Sequence, residues 1–130
     1  MIPLVFVLAL SLPIPELTPG SIRAEISTKI VCTTKWGRDI RHITPKMRRA
    51  VCEAYKARRC PGPGWEIDHR VPRDLGGADE IRNLWPQPIK EARKKDGLEV
   101  SIRNAVCRGE MSLVEAQAIF LGAWWNYLEH

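Results

Sequence analysis

With 130 residues, 45% of them apolar and 27% charged, the chain has room for one domain around one core, and wholesale disorder, collagen-like repeats and a multi-span membrane protein are excluded. The net charge of +5 is uneven: residues 29–74 hold twelve basic and five acidic side chains, a surplus of +7, and the segments on either side each come to −1. A basic block of this kind draws polyanions, nucleic acid above all, or merely keeps one face solvated.

At the N-terminus, residues 2–12 form an uncharged apolar run too short to span a bilayer, which reads as the hydrophobic stretch of an export signal, although no Lys or Arg precedes it. Pro3, Pro13, Pro15 and Pro19 argue against a buried strand there. The expected organisation is a leader over residues 1–17 and a single domain over residues 18–130, periplasmic or secreted, with no membrane insertion of the mature domain. Beyond the leader, Cys32, Cys52, Cys60 and Cys107 make an even count, and no Cys-x-x-Cys pair suggests zinc. Three disulfide pairings exist. The favoured one joins Cys52 to Cys60, from a helix end to the loop after it, and Cys32 to Cys107, from the N-terminal segment to a later helix.

Ile22, Ile26 and Ile30 are spaced for a short helix or an irregular docking arm. Thr44-Pro45 supplies an N-cap and a first-turn proline to a helix with Met47, Val51, Ala54 and Tyr55 on one stripe, and Cys60-Pro61-Gly62-Pro63-Gly64 must be loop. Trp65 to Val71 alternates as a short strand, and Asn83-Leu84-Trp85-Pro86 offers a second to pair with it, stopped by Pro86 and Pro88. From Ile89 the apolar spacing turns helical as far as Arg108-Gly109, and Ser112-Leu113-Val114-Glu115 is a capping box opening a last helix through Trp124.

The chemistry concentrates in Asp68-His69, followed by Pro72, Gly76-Gly77 and, fourteen residues after the histidine, Asn83-Leu84. A histidine suits taking a proton from water near neutral pH, and a carboxylate suits a hard divalent cation. Neighbouring strand residues point to opposite faces, so the bend near Pro72 is needed to bring Asp68 and His69 to one substrate. Without the downstream spacing, Asp68-His69 reads as a hydrogen-bonded pair at a strand end.

This spaced set resembles the HNH, or ββα-metal, endonuclease family, over roughly a quarter of the chain. More narrowly, Asp68-His69, Leu75-Gly76-Gly77-Ala78, the run Asn83 to Pro88, Lys95-Asp96 and the preceding Cys32 to Trp36 are similar to a group of small bacterial exported HNH-type proteins. The resemblance implies an α+β fold, with a ββα-metal finger (a short antiparallel hairpin plus a helix) embedded in a small, mainly helical domain. It implies hydrolysis of phosphodiester bonds in DNA, or in RNA, with little sequence specificity and one divalent cation (Mg²⁺, Mn²⁺ or Zn²⁺). His69 would be the general base, Asp68 a metal ligand, and Asn83 the residue that pins the loop and orients the histidine.

The family's last histidine has no counterpart in Ile89 to Asp96; Arg93 stands where several relatives have it, leaving Glu91 or Asp96 as substitute ligands. Arg70 and Arg73 flank the site as phosphate contacts, Arg73 among the catalytic set, and Arg48, Arg49, Lys94 and Lys95 extend the nucleic-acid surface. The missing histidine also motivates a rival reading, a ββα scaffold that binds nucleic acid without cutting it. The leader and cysteines alone would support a disulfide-stabilised envelope protein.

Overall fold

The computed structural model describes residues 12–128. The apolar run of the expected leader lies outside them, apart from Leu12. Among the described residues the architecture is mixed helix and strand: one two-stranded antiparallel hairpin and four helices. No described helix is long and apolar enough to cross a membrane.

Packing begins before residue 18. Pro13 is buried, and the Ile14 N–H donates to the Tyr55 hydroxyl (2.9 Å). Thr18 is fully enclosed, and its hydroxyl donates to the Leu84 carbonyl (3.0 Å). The docking arm then becomes helical only at α1, Thr28–Thr33, where the Ser27 side chain accepts from Ile30 N–H. Helix α2, Pro45–Ala54, starts at the Thr44 cap and buries Val51 and Cys52. It ends at Tyr55, because Lys56 adopts left-handed backbone (φ 53°) that breaks the helical ladder.

Strand β1, Trp65–His69, pairs antiparallel with β2, Leu84–Pro88, with His69 opposite Leu84 and Ile67 opposite Pro86. The second strand thus continues through the prolines expected to stop it. The Arg70 N–H donates to the Asn83 carbonyl (2.7 Å), so by alternation Trp85 and Gln87 turn their backbone groups toward β1. Pro86 and Pro88 then occupy positions facing away from the ladder, where a missing N–H costs no bond. Helix α3, Ile89–Cys107, follows without a loop, and α4, Leu113–Leu121, opens with the complete Ser112–Glu115 capping box. Gly122 ends α4 before Trp124, which lies in a separate 3₁₀ turn.

One core joins these elements. Val31 of α1, Ile102 and Val106 of α3, Ala116 and Phe120 of α4, Leu75, Trp85 and Trp124 form a buried cluster, with the Trp124 ring centred 5.5 Å from Trp85 and 6.3 Å from Phe120 and tilted against both. Full burial of each large side chain contributes about 1.5–3 kcal/mol. The disulfides are Cys32–Cys107, tying α1 to the end of α3, and Cys52–Cys60, as expected. Two disulfides in so small a domain fit an oxidising compartment.

The loop from Arg70 to Asn83 is the part that positions the site. Gly76 has φ +95°, and a Cβ on Gly77 would stand 1.7 Å from the Val71 carbonyl oxygen, so the Gly-Gly pair is demanded by the backbone. Asn83, fully buried, holds the loop closed. Its Oδ1 accepts from Val71 N–H (3.0 Å) and Ser21 N–H (3.3 Å), and its Nδ2 donates to the Val71 (3.1 Å) and Ala78 (3.0 Å) carbonyls.

Candidate functional site

His69 closes β1, and its ring nitrogen Nε2 lies 2.8 Å from Asp79 Oδ1. Burial resists a charge on Asp79, but the His42 N–H, the His69 ring and the Arg73 guanidinium outweigh it and hold the carboxyl below the usual range. Asp79 is therefore an acceptor only, so Nε2 carries the proton and Nδ1 keeps its lone pair. Burial pushes the imidazolium form of His69 down further than Asp79 and Asp68 pull it up, which leaves a neutral base at neutral pH. Asn83 makes no hydrogen bond to the ring. It acts one step back, by closing the loop on which Asp79 sits.

His69 and Asp68 line one cavity of about 170 Å³ together with Glu66, Asp74, Asp96 and Glu99, with Arg41, Arg73 and Trp36 on its other walls. Five carboxylates thus face two arginines. Burial raises the carboxyls of Glu66 and Asp74, each only partly opposed by nearby cations. Glu99 is pushed up to about 8, by burial first, with Lys95 opposing and Asp68 adding to the rise. Asp68 Oδ2 and Asp74 Oδ1 are buried without a hydrogen-bond partner.

Lys95 is the largest departure from the sequence reading. Expected on the nucleic-acid surface, it is completely buried at the centre of the fold. Its ammonium donates to the His69 carbonyl (2.8 Å) and to Glu99 Oε2 (2.6 Å), stands 3.1 Å from Asp68 Oδ2 without hydrogen-bond alignment, and lies 5.2–5.5 Å from the rings of Phe120, Trp85 and Trp124. Burial opposes its charge, and Asp68 and Glu99 more than restore it. A charge enclosed in this way has no phosphate to meet.

Arg70 is also corrected. It is buried, and its guanidinium donates to the carbonyls of Phe120 (3.1 Å), Leu121 (2.7 Å) and Thr18 (2.9 Å), capping the end of α4. Arg73 reaches the cavity wall, but its guanidinium is already paired with Asp79 (3.1 Å) and Asp39 and lies over the Trp36 ring. Arg48 and Arg49 are exposed on α2, and Lys94 is exposed on α3. Glu91 lies outside the cavity and faces Lys94 at 3.6 Å, the ordinary helix-surface pair, so it is no ligand here. Asp96 does line the cavity, tied to Arg93 at 2.8 Å, and the same arginine reaches Glu66 at 3.5 Å.

Asp79 and Glu99 escaped the sequence reading. Asp79 is ten residues from His69 on the far side of a glycine turn, and Glu99 is simply i+4 from Lys95 on a helix. Only the Gly-Gly signal, which announces a tight loop returning its next residues to the strand, pointed toward the former.

Among the described residues, no group of three His, Cys, Asp or Glu side chains converges as a metal site. No family model matches the chain, and no curated protein or solved structure matches it either.

Proposed function

We propose that this protein hydrolyses phosphodiester bonds in nucleic acid in the manner of an HNH-type endonuclease, with β1, β2 and α3 read as its ββα finger. The observation that carries the reading is the His69–Asp79 pair on the wall of a carboxylate-lined cavity. Asp79 fixes the tautomer and ring orientation of His69, and Nδ1 takes a proton from water as that water attacks phosphorus and the P–O bond to the leaving nucleotide breaks.

The donor set suits a hard cation. Carboxylates outnumber the arginines on the cavity walls, and buried oxygens on Asp68 and Asp74 accept no hydrogen bond, which offers oxygen ligands; Lys95, 3.1 Å from Asp68 Oδ2, is the charge such an ion would have to share that carboxylate with. With no converging trio, such an ion would rest on Asp68 and one further carboxylate, Asp96 or Glu66, and fill its shell with water and substrate, as Mg²⁺ commonly does. When bound, a divalent cation supplies charge against the negative charge that builds on the phosphoryl and leaving oxygens. The exposed Arg48, Arg49 and Lys94 supply non-specific attraction for a phosphate backbone, and the two disulfides fit work in an oxidising compartment, the periplasm or outside the cell.

The test is cleavage of plasmid and single-stranded DNA and of RNA with Mg²⁺, Mn²⁺ or Zn²⁺, with and without EDTA, beside His69→Ala. Metal-dependent cleavage lost in His69→Ala is the expected result; cleavage under no condition, or unaffected by the substitution, overturns it. The placement of Lys95 beside Asp68, and of Arg93 across Glu66 and Asp96, favours a second reading, a nucleic-acid-binding scaffold whose own cations have replaced the metal. Calorimetric titration with Mn²⁺ separates the two: the nuclease binds it and loses that binding in Asp68→Ala, and the scaffold shows none.

A further inference from the structure

A second cavity, of about 460 Å³, adjoins the first, and Trp36 and Arg73 belong to the walls of both. Its volume is in the range of about 300–1,000 Å³ typical of small-molecule sites. Trp36 is half-buried and fixed, its indole N–H donating to the Val31 carbonyl at 2.9 Å and its ring covered by the Arg73 guanidinium at 5.8 Å. Ile30 and Ile40 add apolar wall, and Ile40 is 77% exposed at the rim.

The charges decide what fits. Glu25, Asp39, Asp79 and Glu80 outnumber Arg23 and Arg73 on these walls, and Arg73 is committed to Asp39 and Asp79. A second phosphate is repelled from such a lining. A neutral, flat ring carrying N–H donors is not: an aromatic face stacks it, and carboxylates accept from its edge. Glu25, 71% exposed and held only by a 3.6 Å contact to Arg23, is the least engaged acceptor.

We propose that this cavity is a nucleobase slot in which Trp36 stacks the base of the nucleotide next to the scissile phosphate. The inference rests on the phosphodiester reading of the neighbouring cavity and deepens it by naming the substrate class. A base can lie on Trp36 only when it is out of a paired stack, so the substrate is single-stranded or locally unpaired nucleic acid.

Binding is measured by fluorescence anisotropy with a short labelled single strand and the matching duplex, in His69→Ala protein so that turnover does not intervene. The expected result is at least tenfold tighter binding of the single strand, a tenfold or greater loss in Trp36→Ala confined to the single strand, and most of the affinity restored in Trp36→Phe. If Trp36→Ala does not fold, Trp36→Phe and Ile40→Ser decide, the latter at an exposed position and expected to weaken single-strand binding about threefold. Equal affinity for both forms, no binding of either, or single-strand affinity indifferent to Trp36 and Ile40 overturns the slot. Trp36-dependent binding by a wild-type protein that cleaves nothing keeps the slot and removes the hydrolysis; cleavage with KM and affinity unchanged in the Trp36 variants does the reverse.

Discussion

Lys95 Nζ donates to the backbone carbonyl of His69 at 2.8 Å, so a charge in the middle of α3 is bonded to the residue that ends β1. The same ammonium holds Asp68 and Glu99, which makes it the internal counter-ion of the cavity floor. Replacing it takes away the cation beside the partly buried Asp68 and leaves Glu99 Oε2 without its donor. Lys95→Met is expected to lower stability by about 3 kcal/mol, because the His69 carbonyl and Glu99 Oε2 lose their buried donor and Asp68 its neighbouring cation. Urea denaturation at neutral pH measures it, and a loss below about 1 kcal/mol would mean that Asp68 finds another partner.

Glu99 provides a pH signature of opposite sign to acid denaturation. Its folded value is raised to about 8, by burial first, against an ordinary carboxyl near 4.5. Its contribution is therefore fully present below about pH 4.5, and is lost as pH rises toward 8, since the unfolded chain releases the proton earlier. Glu99→Gln keeps an acceptor for Lys95 and removes the titration. Relative to wild type, the variant gains stability progressively from pH 5 to pH 8, measured by urea denaturation in EDTA. A constant difference across that range would place the Glu99 pKa at its ordinary value.

Asp79 is a positioning residue for His69. Asp79→Ala leaves the ring free to change tautomer, and the proposed hydrolysis is expected to fall by about 10–100-fold, the effect of losing an orienting partner of a site histidine. Imidazole ¹⁵N chemical shifts report the mechanism directly: the Nε2–H form dominates in wild type and loses its preference in the variant. Persistence of that tautomer with reduced activity would assign Asp79 a role other than orienting the ring.

Asn83→Ala exposes a different layer. It strips partners from the Val71 N–H and from the Val71 and Ala78 carbonyls inside a buried loop. At about 1–3 kcal/mol for each group left unsatisfied, the variant loses roughly 3 kcal/mol or more. Amide hydrogen exchange should show the segment from Val71 to Glu80 opening before the rest of the fold.

The two disulfides should differ in weight. Cys32–Cys107 closes 75 residues and Cys52–Cys60 only 8, so the chain-entropy relation assigns them about 4.5 and 2.5 kcal/mol. Thermal unfolding of the two double-alanine variants gives the order, and equal losses would show that loop length is not what matters here.

Local chemistry was legible in the sequence at most helix starts and turns, though not at Pro86 and Pro88, which lie within β2 rather than stopping it. Thr44-Pro45 and Ser112 to Glu115 marked helix starts, the glycine pair marked an obligatory tight turn, and alternation marked β1. The cysteines paired as their places in the chain suggested. The sequence alone thus carried the order of elements and favoured the cross-links that form, and it singled out His69 as the candidate base. Tertiary structure decided which charges meet it. Arg70 and Lys95 look like surface cations in a basic protein, yet one caps the end of α4 and the other sits beneath the cavity, since buried carbonyls and carboxylates from distant segments require them. Asp79 faces His69 only after Asn83 closes the loop between them. A charged side chain carries no mark of the partner it will have, because that partner is set by contacts between segments far apart in the chain.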